Sequence, residues 1–324
     1  MKKIIGIGNP IVDEIAFIEE TFLKQIDGAK GGMELLDEDQ LEAIKSLLPK
    51  KLNKIPGGSA GNTAFALARL GTHTGYLGKV GNCPTGNFYK ESFTELGGYA
   101  HAIKVGDRSN GNCLSLVTPD GQRTMRTSLG AAMHLSADEI TKDDIAGYDH
   151  VHIEGYMIHN KDVLYKSLDL AKSNNCTVSY DLASFEIVNS MRDEIKTILS
   201  DYVDLLFANE DEAAAFTSET EFDPMHSAQL LNQFSQVAVV KLGANGSIIA
   251  SENKLSKVEA VPVDKVVDTT GAGDLWAAGF LHGWATGKSL EESAKIGSLL
   301  GAAVVQTQGG SLDESQWDSI LKTI

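Results

Sequence analysis

Apolar residues along this chain fall into short extended runs, and most of these runs are followed by a segment with helical spacing. Val, Ile and Leu dominate the runs, which occupy residues 4–8, 151–153, 176–181, 203–208 and 237–242. The clearest helical patterns cover residues 161–174 and 210–216. Strands that alternate with helices through short connections form a parallel sheet covered on both faces. The pattern therefore predicts an α/β fold with a mostly parallel central sheet.

Two stretches interrupt this rhythm. Residues 21–54 carry many charges, with Gly31 and Gly32 between two helical patterns, and we expect them to belong to a small lid inserted into the main domain. Residues 102–127 are typical of two or three strands, with a turn at 119–122 between two extended runs.

The densest chemical pattern is D-T-T-G-A-G-D at residues 268–274. A β-branched extended piece at 261–267 precedes it and small apolar residues at helical spacing follow it, which predicts a strand end, a glycine turn and a helix start. Free N–H groups at a helix start bind phosphate, and Gly271 and Gly273 let the backbone approach an anion closely. Asp274 beside such an anion hole suggests phosphoryl transfer, in which its carboxylate accepts a hydroxyl proton. The alternative is an ordinary turn whose carboxylate favours the helix dipole.

Two further segments suggest a site for a hydroxylated substrate. Asp13 stands at the joint of two extended runs, where its carboxylate either accepts hydrogen bonds from neighbouring hydroxyls or is simply solvated. Residues 56–62, P-G-G-S-A-G-N, form a glycine-rich loop before a helix that ends at Gly71. That loop either approaches a ligand closely or is a flexible connection with a helix cap.

Asn209 and Glu212 come directly after the run at 203–208. Asn followed three positions later by Glu is the pattern of a helix capping box. The same oxygens suit a hydrated Mg²⁺ ion, which keeps several waters and bridges phosphates, and both interpretations stay open.

Ligands of parallel sheets bind at the carboxyl ends of strands, so one cleft is expected to collect four side chains. These are Asp13, Asp181, Asn209 and Asp274.

Composition narrows the range of partners. The formal net charge of −16 over 324 residues argues against nucleic acid and anionic membranes. Cys83, Cys113 and Cys176 are odd in number and widely spaced, which predicts neither a disulfide framework nor a zinc site. The apolar run after Lys2 and Lys3 is too short and too soon followed by acidic residues for a signal peptide, so a cytoplasmic protein is expected.

Several of these segments resemble one family. D-T-T-G-A-G-D and P-G-G-S-A-G-N resemble the two signatures of the ribokinase-like (PfkB) sugar and nucleoside kinases, and N-E-D-E at 209–212 is similar to a third family motif. G-N-P-x-x-D at 8–13 resembles the adenosine-kinase-type members. The resemblance implies a ribokinase-like three-layer α/β/α domain over residues 1–324. It also implies a small β-sheet lid, formed by two insertions at about 11–54 and 102–127, that closes over the substrate and excludes water.

The resemblance further implies a reaction. The γ-phosphoryl group of ATP would pass to the primary hydroxyl of an adenosine-like ribonucleoside or of a sugar, with Asp274 as the base. The anion hole would consist of Gly271, Ala272 and Gly273, and the substrate would be held by Asp13, Gly57, Gly58 and Asn62. Arg123 and Arg126, on the hairpin arm that leads back to the site, either contact phosphate or substrate or are exposed strand arginines.

For ATP and its ions, the resemblance implies a third group of residues. Nucleotide contacts would come from Asn209, Lys241, Gly243, Gly246, Thr269 and, on the adenine helix 296–305, Gly301. Glu212 and Asn209 would orient Mg²⁺ through water. Asp268 and Thr270, with the backbone around Gly309 and Gly310, would hold a monovalent cation such as K⁺, as in some relatives.

Other residues are expected to serve structure. The helical stripe of Trp276, Phe280 and Trp284 predicts core packing, and His152 and His159 are also interpreted as structural. Lys79 is either a surface charge or a site residue, and the sequence leaves it open.

Alternative functions remain within and outside the family. A ribose, fructose or ketodeoxygluconate kinase is the first, because the glycine loop fits sugar kinases equally well. A catalytically silent sugar or nucleotide sensor is the second, although such a protein has no use for a base at position 274. A nucleotide-dependent dehydrogenase lacks its G-x-G-x-x-G turn. The chain is expected to be a monomer or a homodimer paired through an exposed face of the lid sheet.

Overall fold

The structure, a computed structural model, describes residues 1–48, 52–120, 122–218 and 222–324. Residues 49–51 of the predicted lid and Gly121 of the predicted turn lie outside the described residues. The strands are β1 (Ile4–Ile7), β2 (Ile11–Phe17), β3 (Met33–Leu35), β4 (Asn53–Gly57), β5 (Thr74–Gly81), β6 (Ile103–Gly106), β7 (Gly111–Val117), β8 (Arg123–Ser128), β9 (His150–Glu154), β10 (Thr177–Asp181), β11 (Leu205–Asn209), β12 (Val237–Lys241), β13 (Ser247–Ser251) and β14 (Lys254–Val258). The helices are α1 (Glu38–Ser46), α2 (Ser59–Arg69), α3 (Pro84–Glu95), α4 (Lys142–Ile145), α5 (Lys161–Ser173), α6 (Phe185–Tyr202), α7 (Glu210–Thr217), α8 (Pro224–Leu231), α9 (Ala272–Ala285), α10 (Leu290–Val304) and α11 (Glu314–Leu321).

A large sheet of nine strands among the described residues forms the middle layer. Its order is β14-β13-β12-β11-β10-β9-β1-β5-β6. The pairs β12–β13 and β13–β14 are antiparallel, and the other neighbouring pairs are parallel. Side chains alternate between its faces. Ile5 belongs to a buried cluster that includes residues of α5, α6, α7 and α8, whereas Ile4 belongs to a second cluster with residues of α2, α9, α10 and α11. The predicted three-layer α/β/α class is confirmed.

A small sheet has the order β3-β8-β7-β2-β4, drawn from residues 11–57 and 111–128. β6 lies within the predicted second insertion, but it pairs in parallel with β5 at the edge of the large sheet. Ile103 of β6 is buried there with Tyr76 and Phe93, which explains why this strand stays with the larger core.

The chain itself covers the outer face of the small sheet. Leu114 and Leu116 of β7 form a buried cluster with Leu41 of α1 and Ala16 of β2. The inner face is turned toward the large sheet and lines a cavity. Among the described residues, α1 and its flanking residues thus occupy part of that face, and pairing of two chains through the small sheet stays a prediction.

The extended piece before the glycine turn is not a strand. Residues 259–271 form neither helix nor strand, and the preceding strand β14 ends at Val258. Pro262 has no N–H to donate to a ladder, and the amides of Val267 and Asp268 donate instead to the carbonyl of Val305 behind α10. The strand predicted from the β-branched residues before the glycine turn is therefore wrong.

Within the described ranges, none of the helices has the length and apolar character needed to cross a bilayer.

Candidate active site

A large cavity lies between the inner face of the small sheet and the carboxyl ends of the parallel strands. Its volume is about 2160 Å³, well above the ~1,000 Å³ upper range for a pocket that holds one small ligand. Glu154, Asp181 and Asn209 line it from the ends of β9, β10 and β11, and Asp13 lines it from β2. The cavity therefore has room for two small molecules side by side.

Asp274 lines this cavity as the third residue of α9. Ser59 Oγ donates to its Oδ1 at 2.7 Å, and Asn62 Nδ2 donates to its Oδ2 at 2.8 Å, so the first turn of α2 fixes both carboxylate oxygens. Burial raises the pKa of Asp274 to about 6, although these two hydrogen bonds oppose the shift. The group is ionised at neutral pH and is more basic than an ordinary aspartate, which suits a general base.

The glycine turn before Asp274 has a fixed geometry. Gly271 caps α9 with a φ of 71°, and a Cβ at this position would lie 2.8 Å from Gly310 Cα. Both the backbone conformation and the space therefore require glycine. The Ala272 amide donates to the Thr269 carbonyl at 3.1 Å, so it is not one of the free donors expected for the anion hole.

Free donors follow immediately after this turn. The amides of Gly273 and Asp274 have no partner among the described residues, as is usual in the first turn of a helix. Lys241 Nζ lies 3.0 Å from the position that a Cβ on Gly273 would take. Two amides at a helix start beside an ammonium group form a cradle for an anion such as a phosphoryl group.

Lys241 is itself held by an ion pair. Its Nζ donates to Asp181 Oδ2 at 2.8 Å, and both side chains are nearly buried. Burial favours loss of the Lys241 proton, but the charges of Asp181 and Glu212 outweigh burial and raise the pKa of the ammonium group. Lys241 is therefore a permanent cation of the cavity.

The predicted capping box at the start of α7 is confirmed. Asn209 Oδ1 accepts from the Glu212 amide, while the Glu212 carboxylate accepts from the Asn209 amide and from its Nδ2, all at 2.8 Å. Burial raises the pKa of Glu212 to about 7, and repulsion from Asp181 adds to the shift.

The donor set around Glu212 fits Mg²⁺ carried by phosphates. Three carboxylates, those of Asp181, Glu212 and Asp274, share this part of the cavity with Lys241. In the described part of the chain, no three His, Cys, Asp or Glu side chains are arranged to hold a metal ion by themselves. Mg²⁺ often binds through one or two carboxylates, several waters and substrate phosphates, and oxygen donors with excess negative charge suit this mode.

Asp13 lies within β2 rather than at a strand end. A Cβ on the buried Gly57 would lie 2.7 Å from Asp13 Oδ2, so the glycine provides the space for this carboxylate. Gly58 and Asn62 line the cavity beside it, and Gly58 has a φ of 84°. Burial raises the pKa of Asp13 to about 6, and the charge of Arg123 opposes this shift.

Glu154, at the end of β9, is a buried carboxylate that sequence patterns alone did not single out. Its Oε1 accepts from the Asn9 amide at 3.0 Å and from Asn9 Nδ2 at 2.7 Å, and its Oε2 accepts from the Ala60 amide at 2.8 Å. The bonds join the segment before Asp13 to the helix turn that carries Asn62. Burial raises the pKa of Glu154 to about 7 against the effect of these bonds.

The far end of the cavity is lined mainly by small and apolar residues. They are Gly243, Ala244 and Gly246 after β12, Val261, Pro262, Val263 and Thr269 from the segment 259–271, and Ser298, Gly301, Ala302 and Val305 from the α10 region. A Cβ on Gly301 would lie 3.3 Å from the Trp276 ring. Trp276 belongs to the core together with Phe280 and Trp284, as the stripe predicted. Small side chains at this end leave room for a planar ring.

Two basic side chains lie away from the cavity. Arg126 is buried on the outer face of the small sheet, where its guanidinium donates to the carbonyls of Asp27 and Met125. It is outside the cavity, contrary to its predicted place, because residues 123 and 126 of one strand point to opposite faces. Lys79 donates to both carboxylate oxygens of Glu139 at 2.8 Å, so its open assignment resolves as an ion pair.

The two histidines differ from each other. His152 is buried, and its Nδ1 lies 2.8 Å from Ser179 Oγ. His159 is exposed and lines the cavity.

Arg123 lies on the inner face of the small sheet. Its guanidinium forms an ion pair with Asp268 and donates to Thr270 Oγ1 at 2.9 Å. The two side chains expected to hold a monovalent cation are thus already bound to a positive group. They do not fit a cation.

This fold and this site define a phosphotransferase that acts on alcohols. A model of the pfkB family carbohydrate kinases matches residues 34–317, and the chain belongs to this family. ATP is the phosphoryl donor of the family. The predicted family and the ribokinase-like fold are confirmed.

Particular relatives include kinases of both nucleosides and sugars. The chain is 32% identical to adenosine kinase from Sinorhizobium meliloti, whose crystal structure matches with a TM-score of 0.88 over 100% of this chain and 99% of that one. It is 26% identical to adenosine kinase 1 of Arabidopsis thaliana, over 96% of each chain. It is also 28% identical to a 5-dehydro-2-deoxygluconokinase of Clostridium beijerinckii, over 90% of each chain. The protein is an adenosine-kinase-like member of the family.

Proposed function

We propose that this kinase phosphorylates the primary hydroxyl of a ribonucleoside of the adenosine type. The observation that carries this choice is the apolar wall on the small-sheet side of the cavity, which also contains Asp13. Met33, Leu35 and Met133 line the cavity there, although 51%, 62% and 59% of their surfaces are exposed. Apolar side chains open to a cavity favour a planar nucleobase over a fully hydroxylated sugar. Asp13 on the same side provides the acceptor oxygens that ribose hydroxyls need.

A sugar is the second candidate substrate. The 28% identity to a 5-dehydro-2-deoxygluconokinase supports it, since that relative matches nearly as much of the chain as the adenosine kinases do. The apolar wall argues for the nucleoside, because a small polyol leaves that surface without a partner.

The chemical step in this proposal uses Asp274 as general base. It accepts the proton of the substrate hydroxyl while that oxygen bonds to the γ-phosphorus and ADP leaves. Ser59 and Asn62 keep its oxygens in place. The amides of Gly273 and Asp274, together with Lys241, stabilise negative charge on the transferred phosphoryl group.

Other residues bind the two substrates. Asp13, supported by Gly57, binds ribose hydroxyls beside Gly58. The small sheet, drawn from residues 11–57 and 111–128 rather than from 11–54 and 102–127 as expected, acts as the lid that excludes water. ATP contacts fall to Gly243, Gly246, Thr269 and Gly301 at the far end. Glu212 and Asn209 orient waters of Mg²⁺, which neutralises phosphate charge when bound.

The test is ADP release from Mg-ATP with a panel of possible substrates. The panel contains adenosine, inosine, ribose, fructose, 2-keto-3-deoxygluconate and 5-dehydro-2-deoxygluconate. Each is measured with the wild type, with Asp274→Asn and with Asp318→Asn, which changes an exposed carboxylate of α11 as a matched control. We expect adenosine to give the highest kcat/KM. Loss of the base should lower kcat by at least about 10³-fold, while the control stays at the wild-type rate.

The outcomes separate the candidates. Preference for a sugar would replace the nucleoside proposal by the second candidate. Wild-type rates in Asp274→Asn would remove Asp274 from its role, and silence on the whole panel with retained ligand binding would support a sensor.

A further inference from the structure

The loop that leads into the glycine turn carries a buried carboxylate with a cationic side chain from the other sheet. The ion pair joins Arg123 of β8 to Asp268, and their side chains are only 11% and 9% exposed. Ser115 Oγ accepts from Arg123 Nε at 2.7 Å and so directs the guanidinium from β7. A cation held in this way is part of the folded structure rather than a surface charge.

Both carboxylate oxygens of Asp268 already accept two hydrogen bonds each. Its Oδ1 accepts from the Thr270 amide at 2.9 Å and from Thr270 Oγ1 at 2.7 Å. Its Oδ2 accepts from the Gly309 amide at 2.9 Å and from Arg123 Nη1. Burial disfavours the charged form, but these bonds and the Arg123 charge outweigh burial and hold the pKa of Asp268 below its usual range. Asp268 is therefore an anion whose counter-charge is already present.

The same bonds fix the glycine turn. Thr270 is bound by both Asp268 and Arg123, and Gly271 follows it directly. Gly310, next to the bound Gly309, lies so close that a Cβ on Gly271 would approach its Cα to 2.8 Å. The Arg123 guanidinium is thus one of the groups that hold the loop before the free amides and Asp274.

We infer that the Arg123 guanidinium is the built-in cation of this loop and that the enzyme works without a bound monovalent cation. A K⁺ ion placed between Asp268 and Thr270 would meet a guanidinium at hydrogen-bond distance, with like charges in a site of low exposure. The inference rests on the proposed role of the 271–274 turn, and it concerns a different property from the choice of substrate.

The experiment compares wild type, Arg123→Gln and Arg123→Lys in K⁺ and in tetramethylammonium at equal ionic strength. ADP release is measured with Mg-ATP and the best substrate of the panel. The melting temperature is measured in the same two salts without substrate, so that this readout survives if every compound of the panel is silent. Arg123→Lys is the matched control, because it keeps a positive charge on a flexible side chain.

We expect wild type and Arg123→Lys to show equal rates in the two salts, within about twofold. Arg123→Gln leaves Asp268 without its counter-charge, so K⁺ should raise its rate about fivefold or more over tetramethylammonium. K⁺ should also raise its melting temperature by roughly 2 °C or more, since an ion that binds only the folded state stabilises it.

Two results would overturn the inference. The first is a rate of the wild type that K⁺ raises about fivefold or more over tetramethylammonium. This measurement uses only the wild type, so it tests the inference even if Arg123→Gln does not fold. The second is a folded Arg123→Gln protein that responds to K⁺ in neither rate nor melting temperature, which would leave Arg123 only as a link between the sheets.

Discussion

The two ends of the cavity are built in different ways. The small-sheet end is formed by long side chains, with a carboxylate at Asp13 and apolar surface at Met33 and Leu35. The far end is formed by backbone and small residues such as Gly243 and Ala302. Side chains select a ligand by chemistry, whereas a wall of small residues selects mainly by shape. We therefore expect the small-sheet end to select the phosphoryl acceptor. The far end is expected to hold the planar ring of the phosphoryl donor mainly by its shape.

Between the ends lie the charged side chains to which the proposed function assigns the chemical step. Asp274 and Lys241 are partly buried, and each is fixed by partners from other elements of the chain. Asp274 is bound by residues 215 and 212 positions away in sequence. In the proposed function, the chemistry thus falls to side chains that partners from other elements hold in place, and the specificity falls to side chains that are open to the cavity.

The largest effect that separates the two ends is expected from Asp13→Asn. The amide loses the negative charge that accepts hydrogen bonds from substrate hydroxyls, and bonds to a charged group contribute about 1.5–3 kcal/mol. The kcat/KM for the nucleoside should fall about 10- to 100-fold, while the KM for ATP stays within about twofold. Steady-state kinetics with each substrate varied in turn measures both. Asp39→Asn on α1 is the control, and an equal rise in both KM values would contradict the division into two ends.

A smaller effect is expected from pH. The pKa values of Asp13 and Asp274 are raised to about 6, so protons bind these carboxylates more tightly than they bind ordinary aspartates. The ionised forms are the active ones, and activity should be lost as pH falls through about 6, by about tenfold per pH unit for each group. The pH profile of kcat/KM for the nucleoside should therefore fall more steeply in the wild type than in Asp13→Asn. An acid limb centred near pH 4 would show that burial does not shift these groups in solution.

The smallest effect is expected at the far end, from Ala302→Leu. The larger side chain narrows the wall of small residues where a planar ring would lie, and overfilling of such a space costs about 1–3 kcal/mol. The KM for ATP should rise about fivefold or more, and the KM for the nucleoside should not change. Ala43→Leu, at an exposed position of α1, is the matched control. An increase confined to the nucleoside KM would mean that the two ends are assigned in reverse.

Some placements followed from sequence because they depend on local pattern. The strands that end at Asp181 and Asn209, the helix over 161–173 and the capping box at Asn209 are all set by residues within a few positions of one another. The alternation of side chains within a strand also excludes one part of the prediction that either Arg123 or Arg126 contacts the ligand. Positions 123 and 126 differ by an odd number, so only one of the two arginines was able to face the cavity.

Other placements failed where local pattern and tertiary pairing disagreed. Residues 261–267 have the composition of a strand, but none of the described strands pairs with them, and the amide of Val267 donates to the carbonyl of Val305 after α10 instead. β6 was predicted to belong to the lid, but it pairs with β5 at the edge of the large sheet. Here too the tertiary pairing decided the outcome. Ser59 was missed although it stands inside the glycine loop, since only the fold brings its hydroxyl to Asp274.

By itself, the sequence determined the kinase family, the α/β class and the residue types of the phosphoryl-transfer turn, because short motifs and periodicity are local and survive without coordinates. The tertiary structure decided which distant groups meet. Glu154 binds Asn9 and Ala60 across 145 and 94 positions of the chain, and Arg123 reaches Asp268 across 145. Such contacts depend on how the two sheets are packed against each other. A local sequence pattern does not contain the position of residues that are about 100 positions away.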